Sequence, residues 1–345
     1  MRYIMCSDLT YYKKRANDDI HLKDNPVSAR YPVRLTQYYA GLIKQPYDAI
    51  WKQCMPDPRE LNDHTQLPDP LEEKLLSPVT GLIHRYPDRV VLLVSNRCPV
   101  YCRFCMRKRL VGSGDAPMGD DEFRKALEYI AAHPEIRDVI LSGGDPLMLD
   151  DESLSRILSS LRGIPHIAII RIGTRIPVTL PSRITPGLCS LLKRFHPLYI
   201  NTHFNHPDEI TAESASACSM LADAGVPLGN QTVLLKGVND SVEIMRSLMA
   251  GLLTIRVKPY YLHQMDLVQG TAHFRTSVKT GLKILRGLRG HISGLAVPHY
   301  VIDLPGGKGK VAILPDDVEV NGDTLLLRTY TGERVSYLDI TTPQE

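Results

Sequence analysis

The sequence predicts an α/β fold: a partial (βα)6 barrel of the TIM type, with a helical layer before it and a small β appendage after it. From about residue 89 onward, short β-branched apolar runs alternate with amphipathic stretches, which is typical of βα units around a parallel sheet. Outside that part of the chain the alternation is absent. We therefore expect an N-terminal helical layer and wrapping connector over 1–87, the barrel over 88–300, and a glycine-rich turn with the β appendage over 301–345.

The barrel prediction depends on six strand candidates. They are separated by helical segments such as DDEFRKALEYIAAH, in which apolar residues recur at helical spacing. The candidates are Val90–Asn96, Asp138–Gly144, Ala168–Thr174, Leu198–Phe204, Gly229–Leu235 and Val257–His263. Periodicity alone does not separate a partial barrel from an open doubly wound sheet, but both folds place the functional site at the carboxyl ends of the strands.

The flanking regions carry different signals. Residues 38–53, YYAGLIKQPYDAIWKQ, predict helix, and the proline-rich residues 56–78 predict a connector that runs extended across the surface. After the barrel, residues 297–303, VPHYVID, read as a further strand. Residues 318–328 and 330–338 predict short alternating strands around the turns Asn321-Gly322 and Thr331-Gly332.

The composition favours small-molecule chemistry. The chain has 345 residues, 43% of them hydrophobic, so it can bury a large core. Its net charge is only +3 and no block of five or six like charges occurs, which gives no electrostatic case for nucleic-acid binding. The N-terminus lacks an apolar signal core, and no apolar stretch is long enough to span a bilayer. We therefore expect a cytoplasmic protein that binds neither nucleic acid nor a membrane.

Three of the seven cysteines form a motif directly after the first strand candidate. The other four are scattered without a pairing pattern, which argues against a disulfide framework: Cys6, Cys54, Cys189 and Cys218. Cys98, Cys102 and Cys105 would leave one iron of a 4Fe-4S cluster without a protein ligand. The alternative is a structural zinc site, which needs four ligands, and no nearby Cys or His completes such a set.

The CxxxCxxC spacing resembles the signature of the radical S-adenosylmethionine (SAM) superfamily. Its surroundings, HRYPDRVVLLVSNRCPVYCRFCMRKR, resemble the lysine 2,3-aminomutase family. The resemblance extends from about residue 69 to residue 315 and includes SGGDPLML, RIGTRIPVTLPSRIT, HFRTSVKTGLKILRGLRGHISG and VIDLPGGKGK. It implies that the open iron of the cluster binds SAM, which one electron cleaves to methionine and a 5′-deoxyadenosyl radical.

The resemblance also implies how SAM is bound. The glycine turn Ser142-Gly143-Gly144-Asp145 at the end of the second strand candidate would hold its amino-acid end through exposed amide groups. His203 and Gln231 match positions that contact SAM in the family. Taken without the resemblance, these residues read as a tight βα turn and as satisfied polar groups of the core.

A second cofactor, pyridoxal 5′-phosphate (PLP), is implied by PGGKGK at 305–310. The family places the lysine that forms the imine with PLP at the end of this turn, which is Lys310 here. The family has glycine where this chain has Lys308, so Lys308 is either a solvated charge or one that faces the phosphate. Arg85 and Arg89 match the phosphate-binding arginines, whose guanidinium groups suit a phosphate. Alone, the turn reads as a flexible basic loop.

The substrate implied by the resemblance is L-lysine, converted to β-lysine. Arg107 matches the arginine that pairs with the substrate carboxylate, and Asp266 and Asp303 match the two acids that bind the distal ammonium. Two negative charges favour a cation over glutamate. The alternatives are an aminomutase for arginine, ornithine or glutamate, and a non-catalytic module that binds a metal and a phosphate.

The resemblance bears on partners as well. It implies a flavodoxin or ferredoxin as the electron donor. Family members carry further cysteines that hold zinc between subunits, whereas this chain has Ser241 at one such position and no cysteine after Cys218. We expect no structural zinc, and homo-oligomer formation is left open.

Overall fold

The computed structural model describes residues 3–4, 26–63, 66–111, 115–315, 317–321 and 324–338. In chain order the strands are β1 Tyr3–Ile4, β2 Leu35–Thr36, β3 Leu82–Tyr86, β4 Arg89–Ser95, β5 Asp138–Gly143, β6 Ile169–Gly173, β7 Leu198–Thr202, β8 Leu228–Leu234, β9 Lys258–Gln264, β10 His299–Asp303, β11 Lys310–Ala312, β12 Val318–Asn321, β13 Thr324–Arg328 and β14 Arg334–Leu338. The helices are α1 Pro26–Arg30, α2 Gln37–Gly41, α3 Ala49–Cys54, α4 Asp120–Ala132, α5 Asp151–Arg162, α6 Ile176–Thr179, α7 Pro186–Lys193, α8 Ala212–Asp223, α9 Val242–Thr254 and α10 Val278–Leu288.

One sheet dominates the fold. It contains β3 to β11 in sequential order; β4 to β10 are parallel, and β3 and β11 run antiparallel at its two edges. Helices connect the parallel strands, and the sheet curls into a half-barrel. The predicted α/β partial barrel is confirmed, and all six strand candidates are strands.

β10 adds a seventh parallel strand, since its residues pair with β9 from His299 to Val301. The predicted boundary between residues 300 and 301 therefore falls inside a strand of the main sheet. The strand reading of VPHYVID agrees with this element. How the chain divides into domains stays a prediction.

The core lies between the outer face of the sheet and the helices. α5 illustrates why: Asp150 caps its N-terminus by accepting the Ser153 N–H at 2.7 Å, and its apolar residues recur at helical spacing. Four of them are buried, namely Leu154, Ile157, Leu158 and Leu161. On the strands, every second residue is buried against such helices, as in the alternating pattern of β4. The half-buried residues between them line the inner face of the half-barrel.

The N-terminal region departs from the prediction in two ways. The predicted helix over 38–53 is interrupted: α2 ends at Gly41, α3 begins at Ala49, and Tyr47 between them has a positive φ of 64°. The connector is not an extended surface run. Its described residues form turns and a short 3-10 helix, Pro58–Glu60, and Glu60 is fully buried because it pairs with two cations of the cysteine loop.

The C-terminal appendage is a three-stranded antiparallel sheet, with β13 between β12 and β14. The short strands predicted there are confirmed. Of the two predicted turns, Thr331-Gly332 lies between β13 and β14, and Gly332 has a φ of 90°. Gly322 of the other turn lies outside the described residues. Among the described helices, none combines the length and apolar character needed to cross a membrane.

Candidate active site

The three cysteines of the motif lie on the loop that follows β4, at the carboxyl end of the parallel strands. Cys98, Cys102 and Cys105 are free thiols. The loop is tight: the Cys105 N–H donates to the Cys102 carbonyl at 3.1 Å. The N-terminal region holds its start, because Arg34 donates from Nη1 to the Cys98 carbonyl at 3.2 Å.

The three cysteines are half-buried and close enough to influence one another. Desolvation, and next the charge of Asp145, raise the pKa of Cys98 well above its usual value; desolvation raises that of Cys105 to about 11, and the charge of the neighbouring thiols adds to both shifts. Metal ligands must be thiolates, so these thiols would ionise together only around a bound cation. No group of three or more His, Cys, Asp or Glu side chains in the described residues could hold a single metal ion. Three neighbouring, half-buried sulfur donors suit an iron–sulfur cluster with one open position.

The glycine turn after β5 packs directly against the start of the cysteine loop. Gly143 has a φ of 115°, and a Cβ there would lie 2.2 Å from the carbonyl oxygen of Ser95. The next N–H, of Gly144, donates to that same oxygen at 2.6 Å. Only glycine allows so close an approach, and the turn therefore lies beside the cysteines.

Asp145 ends this turn and is buried. Burial raises the pKa of its carboxyl group to about 6. The carboxylate accepts from the Thr174 hydroxyl at 2.7 Å and from the Arg175 N–H at 2.7 Å, so it ties the end of β5 to the end of β6. Contact between Asp145 and SAM stays a prediction.

His203 and Gln231 come from neighbouring strands. His203 follows β7, and its ring lies 5.5 Å from that of Phe104 in the cysteine loop. Burial, and next the charge of Arg175, lower the pKa of His203 well below its usual value, so its imidazole is neutral. Its Nε2 atom is buried and has no hydrogen-bond partner among the described residues. A buried polar atom of this kind fits a ligand group. Gln231 lies on β8 and is half-buried on the inner face.

The residues predicted for PLP gather around one ring, that of Tyr86. The guanidinium carbon of Arg85 lies 4.9 Å from the ring centre and that of Arg89 lies 4.7 Å from it. The Lys310 N–H donates to the Tyr86 hydroxyl at 2.9 Å. Arg89 is also paired with Asp88 at 2.9 Å. Two guanidinium groups beside this ring, with the backbone of Lys310 held to its hydroxyl, fit an aromatic phosphate ester that a lysine attaches.

The turn from β10 to β11 explains how Lys310 reaches this place. Gly309 has a φ of 97°, and a Cβ there would lie 3.3 Å from the Tyr86 hydroxyl. The chain then reverses, so that Asp303 and Lys310 are register partners, and Nζ of Lys310 donates to Oδ2 of Asp303 at 2.7 Å. Lys308 is exposed. That Lys310, and not Lys308, attaches PLP stays a prediction.

The two predicted substrate acids share a cavity of about 250 Å³. Arg85 donates from Nη1 to Oδ1 of Asp303 at 2.8 Å and from Nη2 to Oδ2 at 3.3 Å. Burial would raise the pKa of Asp303, but Lys310 and Arg85 outweigh it and hold that pKa below its usual range. Asp266 differs: burial, and next the charge of Asp303, raise its pKa to about 7. Its buried Oδ1 atom has no hydrogen-bond partner among the described residues.

Arg107 lies between these groups and the glycine turn. Its Nη1 atom donates to the Ser142 hydroxyl at 3.1 Å, so two residues predicted to serve different ligands are in contact. Its Nε and Nη2 atoms pair with Glu73, at 3.1 and 2.8 Å to one carboxylate oxygen. Glu73 also binds Arg109 at 2.9 Å, and a carboxylate is thus already the partner of the residue predicted to bind one.

Sequence reasoning missed three charged residues of the site: Glu60, Glu73 and Arg175. The two acids stand in a proline-rich stretch that reads as surface, although five cations lie beside or between the cysteines and need partners. Arg175 stands in the RIGTRIP motif without a local signal for its role. It donates from Nη1 to the Cys102 sulfur at 2.8 Å.

Comparison with known proteins agrees with this geometry. The model of the radical SAM superfamily matches residues 92–248, which contain the cysteine loop and β5 to β8. The half-barrel and its three-cysteine loop thus define a radical SAM enzyme, with SAM and a 4Fe-4S cluster as its cofactors.

Further matches point to one family within this superfamily. A model described as lysine-2,3-aminomutase matches residues 285–344. The chain is 52% identical to the L-lysine 2,3-aminomutase of Fusobacterium nucleatum over 309 residues, 88% of this chain and 73% of the relative. It is 52% identical to that of Clostridium subterminale, over 88% of this chain and 74% of the relative, and 45% identical to a glutamate 2,3-aminomutase of Clostridioides difficile, over 91% and 75%. The chain belongs to the lysine 2,3-aminomutase family, whose members are PLP-dependent isomerases.

Proposed function

We propose that the protein converts L-lysine to L-β-lysine by moving the α-amino group to the neighbouring carbon. The observation that carries this proposal is the pair of acids in one cavity, of which Asp266 is half-buried, with a buried oxygen that has no partner among the described residues. A buried carboxylate without a partner is costly, and a substrate ammonium would relieve that cost.

The cofactors would have separate roles in the reaction. When bound, the cluster with SAM supplies a carbon radical that abstracts a hydrogen atom, and PLP supplies the conjugated system across which the amino group migrates. The three cysteines would hold the cluster. The turn Ser142-Gly143-Gly144-Asp145, with Gln231 and the neutral imidazole of His203, would orient SAM between the cysteine loop and the inner face of the sheet.

The residues around Tyr86 would hold PLP, with Arg85 and Arg89 toward its phosphate and Lys310 as its attachment. The Lys310 amine lies 2.7 Å from Oδ2 of Asp303. Attachment to PLP would withdraw this amine from Asp303 and leave the carboxylate to the distal ammonium of the substrate. Arg85 would stay beside Asp303.

Substrate selection would follow from charge. Arg107 would bind the substrate carboxylate, and the approach of a substrate ammonium would lower the pKa of Asp266 and ionise it. Glutamate would instead bring another negative charge beside two carboxylates, which is unfavourable. Arginine and ornithine carry the right charge with a different reach, and they form the second candidate class.

The test is anaerobic turnover of the iron-loaded protein with SAM, PLP and dithionite, separately on lysine, ornithine, arginine and glutamate, with NMR detection of the β-amino acid. We expect lysine to be the best substrate. Asp266→Asn should lower kcat/KM for lysine about a hundredfold or more, since one partner of a buried charge pair is removed. The exposed, ion-paired Asp223→Asn serves as the matched control. Faster turnover of glutamate than of lysine, or wild-type activity of Asp266→Asn, would overturn the proposal.

We also propose a flavodoxin or ferredoxin as the donor of the priming electron, because the cluster needs a one-electron reductant. The proposed location is the cytoplasm, where thiols such as the cluster ligands stay reduced. Pull-down of the protein with each purified donor, followed by cluster reduction without dithionite, tests the first proposal. Failure of both donors to reduce the cluster would contradict it.

A further inference from the structure

A buried arginine contacts one of the cluster cysteines. Arg175 follows β6, and its Nη1 atom donates to Sγ of Cys102 at 2.8 Å. Its exposed fraction is only 7%. It is thus a full positive charge, shielded from water, directed at a sulfur predicted to bind iron.

The guanidinium group is fixed from several sides. Its Nη2 atom donates to the Tyr39 hydroxyl at 3.0 Å, and to Gln53 Oε1 and Glu209 Oε1 at 2.7 Å each. Its Nε atom donates to the His203 carbonyl at 3.2 Å. With these bonds made, the side chain cannot turn away from the sulfur without leaving buried partners unsatisfied.

Such a contact acts on the redox chemistry of a cluster. Reduction adds one negative charge, and a hydrogen-bond donor or a cation at a ligand sulfur stabilises that charge, more so in a buried site than in water. Glu209 balances the overall charge of Arg175, but the N–H at Cys102 lies nearer to the sulfur than the carboxylate does, since that carboxylate pairs with the other terminal nitrogen.

We propose that Arg175 is a positioning residue that raises the reduction potential of the cluster through its hydrogen bond to Cys102. This inference rests on the proposed cluster. It assigns to the RIGTRIP motif a role in making the priming electron transfer favourable, separate from substrate recognition.

The test compares Arg175→Met, Arg175→Lys and wild type after anaerobic loading with iron and sulfide. The reduced fraction of the cluster is measured by EPR at a series of fixed potentials. We expect Arg175→Met to lower the ratio of reduced to oxidised cluster about tenfold at a given potential, which is 59 mV for a one-electron couple. Arg175→Lys should lie between this variant and wild type. The control is Arg171→Met, on β6 itself, since Arg171 pairs with Asp138 at 2.7 Å and not with a cysteine.

A second variant keeps the inference testable if Arg175→Met takes up no iron. Glu209→Gln removes the counter-charge, so it should shift the potential in the opposite direction, upward. Full clusters with wild-type potential in Arg175→Met, or a downward shift in Glu209→Gln, would overturn the inference. Failure of the wild-type protein to bind iron and sulfide would instead overturn the proposed function.

Discussion

Glu60→Gln tests the buried ion cluster that anchors the cysteine loop. Glu60 is fully buried, and its Oε2 atom accepts from Arg103 Nη2 at 2.6 Å and from Lys108 Nζ at 2.5 Å. Glutamine keeps the shape but puts an NH2 group opposite one of these cations or both. Two charge-assisted bonds are lost at about 1.5–3 kcal/mol each, and breaking a buried ion pair costs about 3–5 kcal/mol. We expect a loss of about 4 kcal/mol, nearly a thousandfold in the folding equilibrium.

The assay is urea unfolding of the iron-free protein at pH 7, followed by the fluorescence of Trp51, the only tryptophan, which is buried in α3. Glu128→Gln is the control, because Glu128 pairs with Arg124 at 2.7 Å on the exposed face of α4. An exposed pair of this kind contributes at most about 0.5 kcal/mol. If the two variants had the same urea midpoint, the argument that Glu60 anchors the loop would be refuted.

Three further predictions concern the ligand sites. Asp266 has a pKa of about 7 and binds an ammonium only when ionised, so the KM for lysine should fall as pH rises through 7. Asp266→Asn should abolish that dependence. If the variant and the wild type showed the same dependence of KM on pH, the assignment of Asp266 would be contradicted. Lys310→Ala should lose the covalent PLP that borohydride fixes to the protein and mass spectrometry detects, while 5′-deoxyadenosine still forms from SAM. Lys308→Ala should keep both the PLP adduct and 5′-deoxyadenosine formation. If only Lys308→Ala lost the PLP adduct, Lys308 and not Lys310 would be the attachment residue. Gly143→Ala should prevent SAM cleavage and lower the melting temperature, because its Cβ would meet the Ser95 oxygen at 2.2 Å, whereas Gly41→Ala, with open space around it, should change neither.

The sheet could be predicted because parallel strands buried on one face read as apolar runs. Each candidate matched its strand to within a few residues, as with Asp138–Gly144 against β5. The helix over 38–53 was less well predicted, since Pro46 and the positive φ of Tyr47 break it. The prediction of an extended surface connector was wrong, because proline spacing gives no information about a partner 43 residues away, the separation of Glu60 and Arg103.

The site divides in the same way. The cysteines lie within eight residues, so their spacing alone pointed to a site of three thiolates with a missing ligand. The family resemblance assigned iron to that site and PLP attachment to Lys310. The contacts of Arg107 with Glu73 and of Arg175 with Cys102 join residues 34 and 73 apart, and the contact of Arg85 with Asp303 joins residues 218 apart. Only the folded chain brings such pairs together, which is why no local pattern indicated them.

The antiparallel return of β11 has a consequence for how this enzyme can change. Asp303 on β10 and Lys310 on β11 are paired across the two strands. In the proposed mechanism Asp303 binds the substrate and Lys310 attaches the cofactor. An exchange of Asp303 for a neutral residue, as a new substrate would require, also removes the carboxylate that Lys310 and Arg85 both contact. Evolution or engineering of specificity at this position therefore also changes the surroundings of the lysine that is predicted to attach the cofactor.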